Sequence, residues 1–415
     1  MRKISIALNF ILLISIALSN EIAVAQTQSQ GITEASMQNF ELADGDTVVF
    51  LGNSLFENDL QHGYLEFALT TRWPQSNVTF RNLGWSGDNV YGEARSYITA
   101  PSAYDLLVKQ LKNVKPTIVF LAYGANEAYK GKAGLFNFKK GLNNLLDEID
   151  QLGAETILLS PIPIMPTQSS ENSIKRNSLL ELYSATISET ASERGKRFID
   201  IFNPFRERSK TSKLSDNAIH LNENGYSYLA STIEEGLGLN SRDRESVIID
   251  ISKNSIEATI PTKILKKSGN NEDIKFIIDQ EYLPFPYPEQ KVEIEDNVLL
   301  IKISGLKKGF YALSTGNYQL ITASANKWKE GVEISQGLLS GQANQLREKI
   351  VKKNELFFNQ YRPLNRTYII GFRSHEQGRH AKGLDDLNII IKWLEGQIAV
   401  NRFPKPIKLE LSKIE

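Results

Sequence analysis

Five short runs rich in apolar and β-branched residues impose the strongest constraint on the fold. They lie at residues 47–51, 78–82, 117–121, 156–160 and 198–201. Each has the length of a buried strand, and helical patterns separate them. Strands that do not alternate apolar with polar residues are typical of parallel sheets covered by helices on both faces. The sequence therefore predicts a flavodoxin-like three-layer α/β/α domain with a five-stranded parallel sheet in the order 2-1-3-4-5.

The pattern changes near residue 241. Residues 241–324 hold short alternating stretches separated by turn signals, which predict a small antiparallel, β-sandwich-like domain. Helical patterns return in residues 325–415. The predicted division is thus a signal peptide at 1–25, the α/β domain at 26–240, the β-domain at 241–324 and a helical C-terminal region at 325–415.

The first residues read as an export signal. Arg2 and Lys3 precede an apolar stretch at residues 4–18, and Ala23-Val24-Ala25 offers a cleavage site after Ala25. The apolar stretch is short for a membrane span. We expect a secreted or periplasmic protein with no stable membrane span in its mature form. A retained N-terminal anchor is the alternative.

Charge and cysteine content exclude several classes of function. Lysine plus arginine and aspartate plus glutamate both number 48, so no basic excess points to a nucleic-acid partner. The chain has no cysteine, which rules out disulfides, thiolate metal sites and a cysteine nucleophile. We expect no metal and no cofactor. His375 and His380 are the histidines that could suggest a zinc site. They are five residues apart, whereas zinc-binding histidines on one helix face are four apart.

Ser54 is the candidate nucleophile. The first apolar run leads directly into Gly52-Asn53-Ser54, and a helical pattern follows. Such a turn presents a hydroxyl at the carboxyl edge of the sheet, where open α/β sheets hold their active sites. The alternative is an ordinary turn in which Ser54 caps the helix.

His220 is the candidate base, because a serine hydroxyl needs one at neutral pH. It lies in a polar loop before the last helix of the α/β domain. Asp216, with Asn217 as the less favoured choice, would orient its ring, and a carboxylate would favour the imidazolium. The alternative is an ordinary loop histidine.

Gly87 and Asn126 are candidate donors to an oxyanion, together with the Ser54 N–H. Glycine allows close approach of a backbone N–H, and asparagine supplies a side-chain donor. Both residues follow strands that the predicted order places beside the first one. A turn glycine and an Asx-turn asparagine are the alternatives.

Four segments resemble the four blocks of the SGNH (GDSL-type) hydrolase family, and they occur along the chain in the same order as those blocks. They are Gly52-Asn53-Ser54-Leu55, Ser86-Gly87-Asp88, Gly124-Ala125-Asn126-Glu127 and the segment from Asp216 to His220. The resemblance implies an ester hydrolase that needs no metal. The whole chain also resembles exported bacterial members that carry a β-domain and a helical tail.

Three positions depart from the family pattern. Asn53 and Glu127 replace aspartates, and Asn217 stands three residues before His220 where the family has aspartate. Asp216 lies four residues before. A neutral partner would favour the imidazolium less than a carboxylate does.

The sequence predicts an exported serine esterase for small carboxylic esters, acting on a small ester or an acylated glycan and in particular deacetylating carbohydrate. A lysophospholipase-like or thioesterase-like enzyme with the same residues is one alternative. The other is a catalytically weak protein that keeps the fold and binds a glycan or a protein.

Overall fold

The computed structural model describes residues 40–96, 101–165, 171–240, 242, 246–269, 272–286, 299–334, 338–363, 373, 375 and 378–414. The predicted signal peptide lies outside these residues, as does the side chain of His380. The chain from Glu41 to Glu415 forms one compact unit. Within the described residues, no helix is long and apolar enough to cross a membrane.

The first sheet has five parallel strands in the order β2-β1-β3-β4-β5, which confirms the predicted fold class and order. The strands are β1 (Thr47–Gly52), β2 (Thr79–Asn82), β3 (Ile118–Ala122), β4 (Glu155–Leu159) and β5 (Arg197–Ile199). The central strand β3 is buried along its whole length. Because β1 lies between β2 and β3, the turns that follow these three strands meet at one edge of the sheet.

Helices cover both faces of this sheet. They are α1 (Ser54–Asp59), α2 (Tyr64–Arg72), α3 (Ala103–Val114), α4 (Leu135–Gln151), α5 (Glu171–Glu193), α6 (Phe202–Arg208) and α7 (Glu223–Gly236). Helices α3, α4 and α5 share one hydrophobic cluster with Val49, Val119 and Leu158. Helices α2 and α7 pack against each other and cover the opposite face.

The helical stretch predicted after Ser54 is broken into α1 and α2. Gly63 adopts a positive φ of 69° between them, and the N–H groups of His62 and Gly63 both bond the carbonyl of Asp59. A glycine reaches this left-handed conformation without strain. The Asp59 carboxylate then accepts the N–H of Tyr64 at 3.1 Å and starts α2.

Two further sheets form the β part of the chain. Their strands are β6 (Ser246–Asp250), β7 (Ser255–Ala258), β8 (Thr262–Lys267), β9 (Asp273–Ile278), β10 (Leu299–Ser304), β11 (Phe310–Thr315), β12 (Tyr318–Ser324), β13 (Val332–Ile334) and β14 (Ile407–Ile414). The orders are β13-β10-β6-β7 and β12-β11-β14-β9-β8, and one hydrophobic cluster joins them. The pairs are antiparallel except β6 with β10, which is parallel.

The C-terminal region contributes to both parts of the fold. It contains α8 (Ala325–Glu330), α9 (Leu338–Tyr361) and α10 (Gly378–Asn401), and its last strand β14 lies between β9 and β11. Helix α9 packs on α2 and β2, where the buried Lys353 donates to Glu66 at 2.7 Å and to the carbonyl of Phe80 at 3.2 Å. Strands thus come from both sides of the predicted boundary at residue 324.

Glu234 is a buried carboxylate that joins α2 and α7 to the segment leading into the β part. Arg72 bonds it at 2.9 Å and Arg242 at 2.6 Å. Burial by itself would raise the pKa of Glu234, but Arg242 and Arg72 hold this pKa below its ordinary value. The ionised form is therefore favoured in the folded protein.

We expect Glu234→Gln to lower the free energy of unfolding at pH 7 by about 3–5 kcal/mol, because it leaves two arginines without their buried counter-charge. Because the folded pKa is depressed, this contribution is lost as the pH falls below the ordinary carboxyl pKa. Urea unfolding at pH 7 and pH 3 measures both effects. Glu207→Gln, which breaks an exposed pair with Lys210, is the control and should leave the stability almost unchanged, because water screens exposed ion pairs. Equal losses in the two variants would contradict the assignment.

Candidate active site

Ser54 is the first residue of α1, directly after β1. The carboxamide of Asn53 accepts the N–H of Leu55 at 3.0 Å, so Asn53 and not Ser54 caps the helix. Asn53 is buried, whereas Ser54 is partly exposed. The turn therefore presents the serine at the carboxyl edge of the sheet.

Asn126 follows the neighbouring strand β3. Its side-chain amide donates to the carbonyl of Asp88 at 2.7 Å, which ties the turn after β3 to the turn after β2. A carboxamide nitrogen carries two hydrogens. One is held by Asp88, and the other remains for a ligand in the cleft that Asn126 lines.

Gly87 lies in the turn after β2 with a positive φ of 81°, and it is exposed. Ser54 and Asn126 line the cleft, whereas Gly87 is not among the described residues that line it. The structure thus brings Gly87 to the correct edge of the sheet but outside the cleft lining.

The loop that carries His220 is fixed by its own hydrogen bonds. Ser215 Oγ donates to the carbonyl of His220 at 2.6 Å, and the carbonyl of Ala218 accepts the N–H of Met165 at 3.0 Å. Ala218 has a positive φ of 70°, a conformation that costs energy for a residue with a side chain. His220 is exposed and lines the same cleft as Ser54.

Of the two candidate orienting residues, Asn217 is the one beside the ring. Its side-chain nitrogen lies 3.2 Å from His220 Nδ1. Asp216 instead forms an exposed salt bridge with Lys213 at 2.9 Å, and this bond lowers the pKa of Asp216. The sequence favoured Asp216 as the orienting residue, but in the described part of the chain its side chain makes no contact with the His220 ring.

The orientation of the Asn217 amide determines which proton the ring carries. Its oxygen accepts the N–H groups of His220 at 2.8 Å and Ile219 at 3.1 Å, so its nitrogen must face the ring. This nitrogen can only donate, so Nδ1 of His220 must accept. The neutral ring then holds its proton on Nε2, whereas a base acting through Nε2 needs the proton on Nδ1.

A cleft of about 70 Å³ lies between Ser54, Asn126 and His220. Apolar side chains line much of it, among them Ile162, Ile164 and Leu180. One water needs about 10–15 Å³ by the same kind of measure, so the cleft holds only a small group. Arg176 borders it and packs its guanidinium over the ring of Tyr129.

A buried ion pair supports the turn after β2. Arg95 and Asp88 are both fully buried, with Nε and Oδ2 2.7 Å apart. Arg95 also donates to Gln110 at 2.7 Å and to the carbonyl of Leu83 at 3.0 Å, and the Tyr123 hydroxyl donates to Asp88 at 2.9 Å. The sequence pointed to the Ser86-Gly87-Asp88 block but not to Arg95.

Glu127 joins the same two turns from the other side. Its carboxyl oxygens accept the N–H groups of Val90 at 2.9 Å and Gly124 at 2.8 Å. Burial raises the pKa of Glu127 to about 7, although these bonds act in the opposite direction. The residue that replaces the family's aspartate thus has a hydrogen-bonding role.

The end of α9 holds the turn after β2 from outside. The Tyr361 hydroxyl donates to the carbonyl of Gly84 at 2.7 Å, and Arg362 bonds Glu57 at 2.8 Å while lying 3.9 Å from the ring centre of Trp85. Gly84 allows this turn to contact α1, since a Cβ there would meet the Glu57 nitrogen at 2.2 Å. Sequence reasoning missed the roles of Tyr361 and Glu57. The partner of each lies about 300 positions away, and no local pattern in the sequence marks such a contact.

Residues 50–228 match the model of the GDSL-like Lipase/Acylhydrolase family. The candidate residues Ser54, Gly87, Asn126, Asp216, Asn217 and His220 all lie within this range. Residues 50–228 belong to the GDSL-like lipase/acylhydrolase family. This confirms the resemblance found in the sequence and the prediction of an ester hydrolase. No curated protein matches the sequence.

One solved structure has a similar fold over the GDSL-like domain and the regions that follow it, and two others are reported as matches to about half of the chain. The gut microbial diltiazem-metabolizing enzyme BT4096 is 20% identical, with a TM-score of 0.68, and the match covers 91% of this chain and all of that one. Axe2, an acetylxylan esterase from Geobacillus stearothermophilus, is 20% identical over 48% of this chain and 98% of its own, with a TM-score of 0.39. The α/β hydrolase LAE5 from the Lake Arreo metagenome is 19% identical over 48% and 99%, also with a TM-score of 0.39.

We expect Asn217→Asp to raise kcat/KM of the GDSL-like domain on a simple ester by roughly a hundredfold or more. The carboxylate would keep both backbone bonds and accept a proton on Nδ1, and in serine proteases the reverse change costs about 10⁴. Hydrolysis of 4-nitrophenyl acetate measures the effect. Asp216→Asn is the matched control and should leave the rate within about twofold. If Asp216→Asn abolished activity and Asn217→Asp had no effect, Asp216 would be the orienting residue.

The raised pKa of Glu127 predicts a pH-dependent stability. Between the ordinary carboxyl pKa of 4.5 and a pH of about 7, the unfolded chain releases this proton while the folded protein retains it. The free energy of unfolding should therefore fall by on the order of 3 kcal/mol as the pH rises through this window. Urea unfolding of wild type and Glu127→Gln at several pH values tests this. The stability difference between the two proteins should change across the window, and a constant difference would refute the assignment.

Proposed function

We propose that this chain is an exported serine esterase that removes short acyl groups, in particular acetyl, from carbohydrate. Ser54 attacks the ester carbonyl, and His220 takes the serine proton. The Asn126 side chain and the N–H group of Ser54 stabilise the negative oxygen. His220 then returns its proton to the departing alcohol, and water hydrolyses the acyl-enzyme by the same route.

One observation carries this proposal: Ser54, Asn126 and His220 line a single cleft with room for only a small group. In the proposed mechanism Ser54 is the nucleophile, Asn126 is the oxyanion donor and His220 is the base, and all three lie at the carboxyl edge of a parallel sheet. The apolar lining from Ile162 and Leu180 suits a short acyl chain. The same volume argues against a lysophospholipase-like or thioesterase-like enzyme, whose acyl chains are long.

Asn217 favours a second candidate, a catalytically weak protein that binds a glycan or a protein. It holds His220 in the state that cannot accept the serine proton through Nε2. Catalysis then requires a change of ring tautomer, which the exposed His220 can make by exchanging protons with water. We expect measurable but modest turnover for this reason.

Export is part of the proposal. It is supported by the basic residues Arg2 and Lys3, the apolar stretch at residues 4–18 and the Ala23-Val24-Ala25 cleavage site. The mature chain would begin at Gln26.

The decisive test compares mature protein from Gln26 onward with its Ser54→Ala variant on 4-nitrophenyl esters of increasing chain length. We expect turnover of the acetyl ester that Ser54→Ala reduces by at least about 10³, as expected for loss of a nucleophile. The octanoyl ester should react at least about tenfold more slowly, because a pocket of fixed size discriminates by chain length. Labelling of Ser54 by a fluorophosphonate is a second readout. If folded wild type and Ser54→Ala are equally inactive and unlabelled, the serine mechanism is wrong and the binding protein is favoured.

A further inference from the structure

A second cavity adjoins the cleft on the far side of His220. This groove has a volume of about 430 Å³, several times that of the cleft. Its walls are Asn58, Gln61 and His62 on one side and Asp216 with residues 222–224 on the other. Asn58, His220 and Leu221 line both cavities, so the two lie next to each other.

We propose that this groove is the subsite for the leaving alcohol and that it takes a neutral, polyhydroxylated alcohol such as a sugar. The inference rests on the proposed serine esterase function. It adds the side of the site on which the alcohol lies and the groove residues that would recognise its hydroxyl groups.

The position follows from the proton transfer. The alcohol oxygen must lie beside the His220 ring when it receives the proton, because general acids act over hydrogen-bond distance. His220 borders two cavities. The cleft contains Ser54 and Asn126 and is small, so it holds the acyl group and its carbonyl oxygen. The alcohol therefore extends into the larger groove.

The groove is polar almost throughout, with Leu221 as its apolar contribution. Within the described part of the chain, the side-chain amides of Asn58 and Gln61 make no hydrogen bond. Asn224 is about nine-tenths buried, and its side-chain oxygen has no partner among the described residues. An amide both donates and accepts, which matches the neighbouring hydroxyl groups of a sugar. An alkyl alcohol would leave these amides unsatisfied.

The charges of the groove favour a neutral alcohol. Asp216 is paired with Lys213, and Glu223 is paired with Arg347 at 3.0 Å. Both carboxylates lie in the wall, and their cations compensate them. An anionic head group would meet these acids without a cation of its own, whereas hydroxyl groups can donate to them.

The test uses two acetyl esters whose leaving alcohols differ in hydroxyl groups. One is methyl glucoside acetylated at a single position, and the other is ethyl acetate. The variants are Gln61→Leu, an exposed groove residue, and Asn224→Leu. Ile162→Ala in the cleft is the matched control, because it alters the acyl side alone.

We expect Gln61→Leu and Asn224→Leu to lower kcat/KM for the sugar ester by about tenfold each, mainly through KM, and to leave ethyl acetate within about twofold. Asn224→Leu should unfold at the same or a higher temperature than wild type, because it removes an unsatisfied buried oxygen. Ile162→Ala should affect both esters equally.

Three outcomes would overturn the inference. The groove variants could affect both esters alike, they could affect neither, or wild type could show no preference for the sugar ester over ethyl acetate. Failure of the proposed function looks different, because wild type would then show no Ser54-dependent turnover of either ester, and the subsite assignment would fall with it.

Discussion

The buried ion pair between Asp88 and Arg95 is the interaction on which the candidate site depends most. Both side chains are fully enclosed, and Gln110, Tyr123 and the Leu83 carbonyl complete their hydrogen bonds. Removing one partner of such a pair costs about 3–5 kcal/mol, since the other charge stays buried. The backbone of Asp88 also holds the Asn126 amide at 2.7 Å. One residue therefore fixes the turn after β2 by its side chain and the side chain of Asn126, the candidate oxyanion donor after β3, by its carbonyl.

The histidine loop is as firmly held, but it is held in a state that does not suit a base. The backbone N–H groups of Ile219 and His220 determine which end of the Asn217 amide faces the ring. A carboxylate has two equivalent acceptor ends, so the same loop with aspartate would bond backbone and ring together. The amide has one acceptor and one donor, so it satisfies the backbone and leaves a donor facing Nδ1. A single atom in the side chain thus decides whether the group that faces Nδ1 donates or accepts a hydrogen bond.

The C-terminal helices act as an outer support for the site. Lys353 enters the interior beside Glu66, and Tyr361 with Arg362 binds the turn after β2 and the start of α1. The carboxyl edge of the sheet, which carries the candidate site, is therefore supported from inside by Arg95 and from outside by α9. Strand β14 then returns to the β part and lies between β9 and β11, so the central position of this sheet is filled by a strand that follows the C-terminal helices.

The sequence by itself determined the parallel sheet, its strand order and the positions of Ser54, Asn126 and His220 at one edge. Hydrophobic period and turn residues are local signals, and the order of the four blocks fixed their place. The sequence did not predict β14, although Ile407, Leu409 and Leu411 alternate as in a strand. The segment follows a long helical region, and its partner strands lie far away in the sequence. Only the tertiary structure decided that Asn217, not Asp216, contacts the ring, that Arg95 lies under the turn after β2 and that a polar groove adjoins the cleft. These facts depend on which distant backbone groups and side chains share one space, and spacing along the chain does not encode that.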